Sequence, residues 1–232
     1  MKSSKIYLFL MVLTAIVFTS CDEKDDTWDP YYNWQTRNEA WYAQIADSAR
    51  TAISEAQALY EDDWEDHCDW RMYKSLLLSQ EYNSHKVTDS ICVHIVARGE
   101  HAGDKAYMPC YNDTVRLNYR GWLMSTEYED DEGNRAASMS IFAQTYYGAF
   151  SAATAAPSQM GVSSGIEGYA TALQYMTPGD DWNVYIPQQL AYKETASAAI
   201  PAYSTLLFRI NLVGVYPAGT KVPTWKAKPS SK

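Results

Sequence analysis

Four stretches in the second half of the chain alternate apolar and polar residues, and one short helical pattern lies among them. Residues 90–97 put Ile91, Val93 and Ile95 on one face, and residues 113–120 do the same with Val115, Leu117 and Tyr119. Residues 181–186 align Trp182, Val184 and Ile186, and residues 205–213 align Leu206 or Leu207 with Phe208, Ile210 and Leu212. Side chains two positions apart share a face of a strand, so each stretch is predicted to be a half-buried strand. Residues 167–176 instead space Tyr169, Leu173 and Met176 along one helical stripe, which Pro178-Gly179-Asp180 stops.

The first half reads differently. Thr36-Arg37-Asn38-Glu39 fits a capping box, in which the threonine accepts from a first-turn amide and the glutamate reaches back. It opens a predicted helix with Trp41, Ile45, Ala49, Ala52, Ile53, Ala56 and Tyr60 on one face. The helix is expected to continue or restart over residues 62–79, where Trp64, Trp70, Tyr73 and Leu76 to Leu78 supply apolar surface. Residues 62–69 are rich in acids and include His67 and Cys68. Contiguous residues on a helix point in several directions, so this is a solvated acidic face and no metal site is expected.

At the N-terminus, Lys2 and Lys5 precede an apolar run over residues 6–18 that is short for a bilayer span. Residues 1–20 therefore read as a signal peptide. Phe18-Thr19-Ser20-Cys21 resembles a lipobox, which makes Cys21 the expected lipidation site and first residue of the mature protein. Two acyl signals suffice for stable anchoring, so the mature chain is expected to be tethered to a membrane of a Gram-negative envelope. Asp22-Glu23-Lys24-Asp25-Asp26 follows at once. It is either a solvated tether or a charge-rich signal for the outer leaflet of the outer membrane. Removing residues 1–20 takes away two lysines and no acid, so a net charge of −9 becomes two units more negative. That balance disfavours nucleic acid and anionic lipid surfaces as partners.

Four blocks carry the functional signal: V-R-L-N-Y-R-G over 115–121, S-G-I-E-G-Y-A-T-A-L-Q-Y-M-T-P-G over 164–179, I-P-Q-Q-L-A-Y over 186–192, and I-P-A-Y-S-T-L-L-F-R-I-N-L over 200–212. In this order and spacing they resemble an FKBP-type peptidyl-prolyl cis-trans isomerase domain. The resemblance implies an α+β fold, an antiparallel sheet curved around a short central helix, with a ligand groove between. It divides the chain into a signal peptide (1–20), a lipidated acidic linker (21–35), a helical segment (36–84), the FKBP-like domain (85–216) and a tail (217–232). The helical segment is either an appendage packed on the domain or a homodimerisation segment of the kind some periplasmic relatives carry. The domain, from about residue 90 to 216, is expected to fold without it.

The resemblance also assigns roles. Tyr119 stands where the family has a tyrosine on the pocket floor, and Ile166 where a backbone amide at the helix start binds the ligand. Tyr169 replaces the tryptophan found beneath the proline ring in many members. Ala191-Tyr192 match an Ala-Tyr pair whose tyrosine contacts the substrate carbonyl, while Ile200 and Phe208 match the apolar wall and its aromatic backing. The family's Phe-Asp-Ser-Ser matches either Phe142-Ala143-Gln144-Thr145 or Phe150-Ser151-Ala152-Ala153, and both lose the aspartate. Lys193 replaces the glycine that normally follows the Ala-Tyr pair, and Ala155, Ala156 and Pro157 occupy the region where an aromatic residue is usual.

Such a domain implies proline-containing peptides or unfolded exported proteins as substrates, without cofactor or metal. A second reading is a binding module that has kept the fold and lost catalysis. His85, His94 and His101 have no serine or cysteine partner in a recognisable motif, and no glycine-rich phosphate loop is present. Cys68, Cys92 and Cys110 remain after Cys21, and Cys92–Cys110 is a candidate disulfide pair for an oxidising compartment.

Overall fold

A computed structural model describes residues 29–78, 86–129, 135–197 and 199–226. The expected signal peptide and the expected lipidation site, Cys21, fall outside these residues. Among the described residues, no helix is long and apolar enough to cross a membrane.

Helix α1 (Trp34–Tyr60) is followed by a 3-10 turn (Glu61–Asp63) and a single helical turn, α2 (Trp64–His67). Strands β1 (Trp70–Lys74), β2 (Ser90–Ala97) and β3 (Thr114–Leu123) come next, then β4 (Thr126–Glu129), β5 (Arg135–Ser138), β6 (Ile141–Gln144) and β7 (Ser158–Gly161). Helix α3 (Glu167–Leu173) precedes β8 (Asp181–Ile186) and β9 (Leu206–Tyr216). Seven strands make one antiparallel sheet in the order β1-β2-β8-β9-β3-β6, with β7 pairing the other half of β3's edge. Strands β4 and β5 form a separate hairpin sheet.

The alternation seen in sequence sets the two faces. Ile91, Val93 and Ile95 of β2, Trp182, Val184 and Ile186 of β8, and Leu206, Phe208, Ile210 and Leu212 of β9 join one buried cluster. The register is consistent with this, since Val93 pairs Val184 and Val184 pairs Phe208. Helix α3 covers that face with Tyr169, Ala170, Ala172 and Leu173. It lies very close, because a Cβ at Gly168 would come within 2.4 Å of Ile186 Cγ2 and 3.1 Å of Ile91 Cγ2. Only glycine permits that approach.

Helix α1 covers part of the opposite face. Tyr42, Ala46 and Ala49 pack with Cys92, and Trp70, Met72 and Tyr185 border them. The Tyr42 hydroxyl donates to Ser90 O at 2.5 Å and receives the Cys92 thiol at 3.4 Å.

Three expectations for this half are corrected. The helix starts at Trp34 with Asn33 as cap (φ 50°), one turn before the capping box, and no cap side chain bonds the first turn. Its buried stripe is Trp34, Asn38, Tyr42, Ala46, Ala49 and Ala56; Ala49 and Ala56 lie on the expected face, while Tyr42 and Ala46 are buried in place of Trp41 and Ile45. The expected helix over 62–79 stops at His67, and Trp70 to Lys74 join the sheet as its edge strand, paired to β2 from Trp70↔His94 to Lys74↔Ser90. Trp70 and Tyr73 satisfy helical spacing, but five residues of strand pairing and packing against α1 make this segment a strand. The Cys92–Cys110 disulfide is also absent. Cys92 is buried under α1 and Cys110 is exposed, both as free thiols. Burial pushes the Cys92 thiol up to about 11, so it stays protonated and unreactive near neutral pH.

Candidate active site

Strands β3 and β9 run side by side with Tyr119↔Ile210 and Gly121↔Phe208 in register. A Cβ at Gly121 would meet Phe142 Cζ at 2.6 Å and Phe208 Cε1 at 2.8 Å, so its absence lets β6 bring Phe142 against Phe208. The two rings sit edge to face at 5.2 Å. Tyr169, projecting from α3, meets Phe208 at 4.9 Å and Tyr119 at 6.3 Å, both edge on. These arrangements suit the ring quadrupoles and fix a rigid aromatic floor.

The floor closes one end of a cavity of about 500 Å³. Tyr119, Phe142, Ile166, Tyr169, Tyr192, Ile200 and Phe208 all line it, which brings together seven of the eight residues expected at the site. Ala191 does not line it and packs against the core beside its neighbour. Of the two candidate stretches, 142–145 is the one at the cavity, with Ala143 on its wall. Phe150 lies elsewhere, against Tyr146 at 4.9 Å and beneath the Arg209 guanidinium at 5.4 Å.

Met160, Ser164, Gly165, Ser197 and Ala199 also line the cavity and were not anticipated. Met160 stands on β7 opposite Val115. An apolar residue in a four-residue strand gives no periodic signal, so only the pairing reveals it. None of the lining residues is charged, and the polar ones are tyrosines and serines.

Tyr169 is 4 % exposed and its hydroxyl has no hydrogen-bond partner. Burial pushes that phenol well above its ordinary value, so it remains neutral. The opposite wall is the loop between β8 and β9. Tyr192, 41 % exposed, lines the cavity from this loop. The loop is tied at its base, where Tyr203 N donates to Lys193 O at 2.7 Å and Lys193 N to Gln188 O at 3.0 Å.

Lys193 has φ 56° and Tyr203 φ 61°, the left-handed region. Lys193 therefore occupies a conformation that favours glycine. Lys193→Gly should raise stability by about 0.5–1 kcal/mol, because it removes a Cβ clash worth more than the added chain entropy of the unfolded state. The shift is read as a higher urea midpoint at unchanged slope. An unchanged midpoint would mean that the position carries no strain.

The family model for FKBP-type peptidyl-prolyl cis-trans isomerase matches residues 106–213. The chain carries an FKBP-type domain. The Escherichia coli FKBP-type 22 kDa peptidyl-prolyl cis-trans isomerase is 31 % identical over 122 residues, covering 52 % of this chain and 48 % of that protein. The peptidyl-prolyl cis-trans isomerase Mip of Coxiella burnetii is 32 % identical over 108 residues, 46 % of this chain and 39 % of its own. An outer membrane protein MIP of Legionella longbeachae is 38 % identical over 60 residues, 25 % of this chain and 26 % of that one. The chain thus spans about half the length, or less, of the curated relatives it matches. The matched FKBP region begins after β2, although β1 and β2 belong to the same sheet.

Proposed function

We propose that this chain is a peptidyl-prolyl cis-trans isomerase that assists folding of exported proteins from a membrane-tethered position. One observation carries the reading: an aromatic-floored cavity of about 500 Å³ with no charged lining residue, set in an FKBP-type domain. The X-Pro amide resists rotation by about 18–20 kcal/mol through its partial double bond. Rotation needs no nucleophile; it needs an environment that favours the twisted amide over the planar one. The planar form is more dipolar and loses more when water is stripped away, which an uncharged apolar cavity does. Tyr119, Tyr169, Phe142 and Phe208 would hold the proline ring, Ile166 and Ile200 would flank the chain, and the Tyr192 hydroxyl would fix the carbonyl before proline.

A protease-coupled assay on an X-Pro peptide with residues 22–232 tests the reading. Tyr192→Phe should lower kcat/KM by about tenfold, the scale of one lost transition-state hydrogen bond. Equal activity in the two proteins would remove Tyr192 from the mechanism. Ala143, standing where the family has a carboxylate, favours a second reading: a binding module with the same groove and little turnover.

The tether is proposed from the lipobox-like sequence at Cys21. Outer-membrane residence accords with the similarity to the Legionella longbeachae outer membrane protein MIP. Cys21→Ser should release the protein from membranes or leave an uncleaved precursor. Unchanged lipid labelling and fractionation in that variant would rule the tether out. A homodimer formed through the helical segment would have to use the outer side of α1, where Leu59 and Tyr60 are exposed, since the buried stripe packs on its own sheet.

A further inference from the structure

The start of α1 and the loop wall of the groove are far apart in sequence and bonded in the fold. Trp34 Nε1 donates to Ser204 Oγ at 2.9 Å across 170 residues, and Ser204 Oγ donates onward to Pro201 O at 2.7 Å. Pro201 directly follows Ile200, which lines the cavity. One turn along the helix, Asn38 Oδ1 accepts from Thr205 N at 2.8 Å, and the Thr205 hydroxyl donates to Asn38 O at 3.3 Å. Asn38 Nδ2 donates to Trp34 O at 2.8 Å, which joins the two contacts into one network. All four residues are buried, and Trp34 belongs to the same apolar cluster as Tyr169 and Phe208.

Residues 204 and 205 are the junction between the groove's loop and β9. Immediately before them stands Tyr203 in the left-handed region, bonded to Lys193, which is also left-handed and follows Tyr192. Two non-glycine residues held in that region persist only when their surroundings over-determine them. The surroundings here are the helix start. Buried polar groups that are held by specific partners, as Asn38 and Ser204 are, select one arrangement of the chain rather than several.

We propose that Trp34 and Asn38 are positioning residues for the isomerase groove: they latch the loop's exit so that Tyr192 and Ile200 stand over the aromatic floor. Neither touches the cavity; both act through Ser204, Thr205 and the loop they end. The proposal rests on the isomerase reading for its kinetic consequence, but not for its structural one.

The test uses the full chain in detergent micelles with Trp34→Phe, which loses the indole N–H together with part of the ring volume, and Asn38→Leu, which keeps the shape and loses both side-chain bonds. Ala46→Gly is the control, because it weakens the same helix without touching residue 204 or 205. Each latch variant should raise KM more than it lowers kcat, with kcat/KM on an X-Pro peptide falling about tenfold. Amide exchange over residues 188–200 should quicken about tenfold or more. Ala46→Gly should lower the melting temperature yet leave KM and loop exchange within about twofold of wild type. Loop exchange unchanged in both latch variants, or quickened equally by Ala46→Gly at the same loss of melting temperature, overturns the proposal. If Asn38→Leu does not fold, Trp34→Phe decides alone. A wild-type chain without isomerase activity sinks the enzymatic reading only, and the loop exchange still decides the latch.

Discussion

Alanine at Tyr169 is expected to cost about a hundredfold in kcat/KM on X-Pro peptides and about 3–5 kcal/mol of stability, the range for truncating a buried aromatic ring. The residue sits under the cavity and touches both Phe208 and Tyr119. Truncation removes the floor and loosens two further walls, so the planar amide would meet water again. Two companion variants separate shape from charge. Tyr169→Phe keeps the ring and deletes a hydroxyl that has no partner, so it should keep the activity and gain about 1 kcal/mol, since an orphaned buried donor is unfavourable. Ala143→Asp restores the family carboxylate on the cavity wall and should help by about tenfold at most, because one electrostatic contact is worth a few kcal/mol only when it is preorganised. No cation lines the cavity to hold it. Kinetics and urea unfolding of the three proteins check this. A Tyr169→Ala protein within about threefold of wild type would show that desolvation by the floor is not what lowers the barrier.

The sequence pattern suggests that the domain folds without its helical segment, but the structure reverses that expectation: the fragment 85–216 should lose cooperative folding. It lacks β1, which pairs β2 along five residues, and α1, which covers Cys92 and Tyr185. It also lacks Trp34 in the main core and the Ser75 hydroxyl that donates to Glu167 at the start of α3, 2.5 Å away. Each large side chain re-exposed costs about 1.5–3 kcal/mol. Several such losses match the whole stability of an ordinary domain, about 5–15 kcal/mol. The exposed edge of β2 would also invite pairing between copies. Circular dichroism with urea on the fragment and on residues 22–232 compares them directly. A cooperative transition in the fragment at a similar midpoint would show that the N-terminal segment is only an appendage.

What was legible in the sequence was whatever alternates or recurs in register. The faces of β2, β3, β8 and β9 follow from Val and Ile spacing, and the aromatic landmarks in four blocks brought Tyr119, Tyr169, Tyr192 and Phe208 to one cavity. The N-terminal half was misread for a local reason. Asn38 and Ala46 are fully buried yet score as polar and small, so the apolar residues nearest the stripe, Trp41 and Ile45, set the expected face. Asn38 is inside because Thr205 N needs an acceptor, a demand made 167 residues away. Strand β1 was hidden because Trp70 and Tyr73 also satisfy helical spacing. Strands β6 and β7, four residues each, are too short for periodicity to speak. The replacement of a glycine by Lys193 was visible, but its left-handed backbone was not.

The most direct test is exchange NMR on an X-Pro peptide in the presence of residues 22–232. The uncatalysed isomers interconvert over tens to hundreds of seconds. Cross-peaks between cis and trans resonances should appear, with an exchange rate rising in proportion to protein concentration and saturating with peptide. Peptide that binds, broadens and shifts while its isomers interconvert at the uncatalysed rate would contradict the account and leave a proline-binding module in its place.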